Sequence, residues 1–145
     1  TLEETGLWLG GPAREAAVAA RADIEAGRVT LAEVAGAGCI DAAAFAVAGH
    51  WVTPPGAPRR YDTRFFATRV SPERAADVSP DGTEVVAVRW WRPGELIEAL
   101  AAGEVDAMEP TRAFIGALAR HDTAAGVLAA ARAFEPPPRP GWVAF

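Results

Sequence analysis

The chain has no lysine. All 14 of its basic residues are arginine, set against 19 acidic ones, for a formal net charge of −5. Gripping a nucleic-acid backbone without sequence preference takes a basic face, so this balance argues against a nucleic-acid partner. It leaves room for a small anionic substrate, because a few local arginines can hold phosphate. The arginine-only usage and the abundance of alanine fit a GC-rich coding bias and carry no functional weight. Cysteine is nearly absent as well. The single Cys39 excludes an intramolecular disulfide and fits a reducing, cytoplasmic setting. With no histidine near it in sequence, Cys39 reads as a small buried apolar residue. The two histidines, His50 and His121, are too few and too separate for a cluster of imidazole ligands. Both read as structural, and no Ser/His/Asp or Cys/His catalytic set is evident. Glycine-rich phosphate loops are missing. So is any apolar run near the ~20 residues that span a bilayer, so no membrane partner is expected. The chain opens without methionine, and targeting is not legible from that end.

What is present is enough for a real core. Half of the 145 residues are apolar and 23% are charged, the balance of a globular domain. Gly10-Gly11-Pro12 breaks the chain, and the Ala-rich residues 12–26 predict a helix that Gly27 stops. Thr30 is placed to cap a short helix to about Ala35, ended at Gly36, and Asp41 to cap one further turn. Residues 45–53, 61–70 and 83–91 read as strands, with 71–82 as a polar loop containing Pro72, Pro80 and Asp81-Gly82. Helices are expected over 94–102, 111–120 and from Asp122 or Thr123 to about Phe134. The Pro-rich end from Glu135 reads as a stiff tail. No internal repeat is visible.

The opening residues, Leu2-Glu3-Glu4-Thr5-Gly6-Leu7, pair two carboxylates just before a glycine suited to end a helix with positive φ. They resemble the last third of the Nudix box, in which paired glutamates, one spacer, a glycine and an apolar residue close the motif. Thr1 then fills an apolar slot. The motif's Gly, its first Glu and its Arg-Glu pair would lie before Thr1, which implies that the chain is the C-terminal part of a larger protein. On a helix, that preceding glutamate would share a face with Glu3 and Glu4. Three carboxylates on one face make a hard oxygen site for Mg²⁺ or Mn²⁺.

The middle of the chain narrows the resemblance. His50-Trp51-Val52-Thr53-Pro54 followed by Arg60-Tyr61-Asp62-Thr63-Arg64-Phe65-Phe66 is similar to a segment of the Nudix subgroup that contains the peroxisomal coenzyme A diphosphatase and its bacterial relatives. Thr83-Glu84-Val85 with Trp90 and Pro93 is similar to a later strand and turn of that subgroup. So is the segment through Gly103-Glu104 and Glu109-Pro110-Thr111, with Glu109 standing where the subgroup has proline. Residues 10–44 correspond to its helical insertion.

The resemblance implies an α+β fold, the α/β/α sandwich of the Nudix type with a mixed sheet whose N-terminal strands lie outside this chain. Residues 1–134 would be the C-terminal portion of one such domain and 135–145 a tail. The implied activity is metal-dependent hydrolysis of a nucleoside diphosphate linked to another moiety, such as coenzyme A or acyl-CoA. Glu3, Glu4 and Glu84 are the implied metal ligands, with Glu4 and Glu84 also catalytic. Arg60 and Arg64 flank Asp62 on one face of a strand and are candidates for phosphate contacts; the bland alternative is an Arg–Asp pair that holds register. Trp51, Trp90 and Trp91 could stack on a base, but strand aromatics are more often core. The partner expected is a small diphosphate, with a homodimer also compatible. The competing reading is a Nudix-like module that binds or regulates without catalysis. On either, the 145-residue chain alone is expected to be inactive.

Overall fold

The computed structural model describes residues 1–11, 14–36, 40–135 and 143–144. Cys39, the start of the helix expected from Pro12, and nearly all of the Pro-rich tail lie outside the described residues. The fold is α+β, and the chain divides into two compact units. One comprises Thr1–Ala44 with Val70–Trp90, the other Phe45–Arg69 with Trp91–Phe145.

The first unit opens with α1 (Leu2–Thr5), closed by Gly6 at φ 68°. The helix expected over 12–26 is two helices, α2 (Arg14–Ala19) and α3 (Arg21–Glu25). The break falls at Ala20, one residue before an arginine whose guanidinium is anchored elsewhere in the unit (below). α4 (Leu31–Ala35) begins at Thr30 with a capping box: the Thr30 hydroxyl accepts from the Glu33 N–H, and the Glu33 carboxylate accepts from the Thr30 N–H at 2.7 Å. Asp41 caps the one-turn 3₁₀ helix Ala42–Ala44 by accepting from the Ala43 N–H at 3.0 Å. Leu2, Trp8, Ala17 and Ile24 form the core here, with Val29, Leu31 and Val34 packed against it.

Two sequence expectations fail in this unit. The loop 71–82 contains a helix, α5 (Pro72–Ala76), because Pro72 follows an N-cap serine whose hydroxyl accepts from the Arg74 N–H. Proline opens this helix rather than breaking the chain. Residues 83–91 form no strand: among the described residues, nothing pairs with them in a ladder. β-branched and aromatic residues favour a strand only where a neighbouring strand gives them a pleated surface to pack on. Without one, Val86 is 79% and Trp90 56% exposed, so the expectation of a core tryptophan fails at Trp90.

In the second unit β1 (Ala46–Val52) pairs antiparallel with β2 (Asp62–Ala67). A register irregularity falls between Val47 and Gly49. On its other side β1 pairs with the short β3 (Val143–Ala144), giving the order β2-β1-β3. The remaining helices are α6 (Pro93–Ala102), α7 (Glu109–Leu118) and α8 (Ala124–Ala133), capped by Thr123. The helix expected at 111–120 therefore starts two residues earlier. Ala46 and Ala48 of β1 meet Ala131 of α8, small residues that let helix and sheet approach closely. The Phe65 ring stacks on Phe114 at 4.6 Å. No helix of the described residues is long and apolar enough to cross a membrane.

Candidate functional site

Glu3 and Glu4 are exposed on α1, while Leu2 beside them is buried and ties the short helix to the core. A helix end leaves its last carbonyls without intrahelical donors. In this unit three of them are met from elsewhere. Arg21 Nε donates to the Glu3 carbonyl at 2.9 Å, the Asp81 N–H to the Glu4 carbonyl at 3.0 Å, and the Ser79 N–H to the Thr5 carbonyl at 2.9 Å. Arg21 also donates to the Ser79 hydroxyl and carbonyl at 3.1 and 3.2 Å. One guanidinium therefore binds both the helix end and the loop that follows α5.

That loop then turns on Asp81. Its Oδ1 accepts from the Thr83 N–H at 2.5 Å, the Thr83 hydroxyl at 2.7 Å and the Glu84 N–H at 2.8 Å. The Val85 N–H lies 3.2 Å away. These donors, the Thr83 hydroxyl first among them, hold the Asp81 carboxyl down to a pKa of about 2. Asp81 thus stays ionised and acts as the centre of a turn that presents Glu84.

The result is an open pocket of about 320 Å³ lined by Glu3, Glu4, Glu25, Asp81, Thr83 and Glu84. Five carboxylates and no basic side chain make its field strongly attractive to a cation. The Thr1 ammonium already lies 3.3 Å from Glu4 Oε2. The donor set is all oxygen and suits a hard divalent ion. Among the described residues, however, no three Asp, Glu, His or Cys side chains converge closely enough to hold one as they stand. The fit to a divalent ion is therefore one of charge and donor type, with convergence left to the rotation of exposed side chains.

Glu3, Glu4 and Glu84 all line this pocket. Glu25 and Asp81 were missed. Asp81-Gly82-Thr83 did carry a turn signal, since an aspartate that bonds backbone N–H groups two residues on is a standard turn former. Arg60 and Arg64 are not among the lining residues. Arg60 Nε donates to the Thr53 carbonyl at 2.9 Å. Asp62, which the bland reading pairs with an arginine, meets His50 instead, Nε2 to Oδ1 at 2.6 Å. His121 lines a second cavity of about 240 Å³ in the second unit, with Arg69, Asp122 and Thr123. No family model, curated protein or solved structure matches the chain.

Proposed function

We propose that the chain is the C-terminal part of a Nudix-type diphosphatase acting on a nucleoside diphosphate linked to another moiety, with coenzyme A or its acyl esters as the substrate class. The observation that carries this reading is the meeting of Glu3 and Glu4 with Glu84 around one acidic pocket. Glu3, Glu4 and Glu84 would hold Mg²⁺ or Mn²⁺. Such an ion supplies concentrated charge that polarises a diphosphate and activates water for attack on phosphorus. Glu84, on a turn fixed by Asp81, would help hold the ion or accept a proton from the attacking water. Arg60 and Arg64 remain proposed phosphate contacts on the strength of the sequence resemblance alone.

The same reading accounts for residues 83–91. We assign them to the sheet of a Nudix sandwich, paired with strands from outside residues 1–145, which would cover Val86 and Trp90. One observation favours a second reading: the carboxylates do not converge, as in a Nudix-like domain that binds or regulates without chemistry.

The residues encoded ahead of Thr1 separate the two. A Gly, Glu and Arg-Glu in register with Glu3-Glu4, and Mg²⁺- or Mn²⁺-dependent hydrolysis of coenzyme A by that longer chain, support the enzyme. Their replacement, with no turnover, supports the module.

A further inference from the structure

β2 is the outer strand of β2-β1-β3. Asp62, Thr63 and Arg64 on it are exposed, and the aromatics Tyr61 and Phe66 are 61% and 57% exposed. The Tyr61 carbonyl accepts from the Thr53 N–H at 2.9 Å, so Tyr61, Thr63 and Phe65 turn their backbone groups toward β1. Alternation along a strand then turns those of Asp62 and Arg64 outward, as a row ready for another strand.

We infer that this edge pairs with β2 of a second copy of the chain, antiparallel, about a two-fold axis at Thr63. The charge pattern selects both the occupant and the register. Outward-facing residues must meet outward-facing residues, so the central registers open to a symmetric pair set Asp62 against Asp62, Arg64 against Arg64, or Asp62 against Arg64. The first two place like charges opposite each other, which destabilises a pair. The third forms two Asp62–Arg64 pairs across the axis, sets Thr63 against Thr63, and brings Tyr61 of each copy opposite Phe65 of the other. A single segment that complements itself under a two-fold is the signature of an isologous interface. This inference does not rest on the proposed catalysis, and it gives Arg64 a task other than phosphate contact.

Sedimentation velocity of the 145-residue chain between about 1 µM and 1 mM, a range that spans weak to moderate association, tests it. The wild type should dimerise with rising concentration. Arg64→Glu, which leaves the His50–Asp62 contact in place, should weaken the dimer about tenfold or more, because two attractive pairs become two repulsive ones. Asp62→Arg should weaken it too, and the double exchange Asp62→Arg/Arg64→Glu should restore it. Hydrogen exchange at the Asp62 and Arg64 amides should slow as the wild-type dimer forms, a readout that needs no variant. A monomer at every concentration, a dimer indifferent to Arg64→Glu, a folded double exchange that fails to restore it, or unchanged exchange at those amides overturns the inference.

Discussion

At Asp81 one carboxylate gathers four donors from three successive residues, and its acidity records that work. Its folded pKa of about 2 lies below the ~3.9 of an unfolded aspartate. A depressed pKa contributes stability that is fully present above the unfolded value and is lost as pH falls through the folded one. The turn that presents Glu84 should therefore weaken between about pH 4 and pH 2. Asp81→Asn keeps an oxygen acceptor for the turn and removes the titration. Acid melts followed by circular dichroism should show a shallower loss of stability across that window in Asp81→Asn than in the wild type. Glu4 behaves differently, because it is exposed and caps nothing. Glu4→Gln should leave thermal stability within about 1 kcal/mol, the range of exposed substitutions. In the longer chain proposed to be active, it should lower turnover by orders of magnitude, since a hard cation needs the charge. Wild-type turnover at saturating Mn²⁺ in that variant would sink the assignment of the opening glutamates.

Among the elements, the capped ones were the most legible. Thr30, Asp41 and Thr123 announce their helices because a side-chain oxygen satisfying an orphan N–H is a local interaction, complete within four residues. Thr30→Ala removes the hydroxyl half of the capping box, while the backbone N–H at position 30 still donates to the Glu33 carboxylate, and should cost the first unit about 1 kcal/mol, measurable by thermal melting. The same locality explains the Gly6 terminus, read correctly from sequence. What escaped was non-local. The break at Ala20 accompanies the reach of Arg21 to Ser79, 58 positions away, and no pattern within residues 12–26 encodes that. Residues 83–91 have strand chemistry, yet a strand is a relation between two segments, and only one of the two can be read from this stretch. At the site, paired glutamates before a glycine made Glu3 and Glu4 legible. Asp81 joins them through the loop that docks on the end of α1, and Glu25 from the end of α3.

For the molecule as a whole, the acidic pocket has its charge but not its convergence. Mn²⁺ should bind the 145-residue chain weakly, at ~10⁻⁴–10⁻³ M, the weak end of natural all-oxygen cation sites, as followed by the Mn²⁺ paramagnetic resonance signal. Coenzyme A hydrolysis by that chain should be undetectable. Robust turnover would show that the chemistry resides elsewhere.

The ion pair between the Thr1 ammonium and Glu4 has a practical consequence. With no lysine in the sequence, a polypeptide prepared to begin at Thr1 carries one primary amine, that ammonium. An amine-reactive fluorophore would therefore attach at a single point, beside the pocket, with no engineered cysteine and no mixture of labelled species. Its acylation would also erase the positive charge next to Glu4. Such a conjugate would report cation arrival at the pocket.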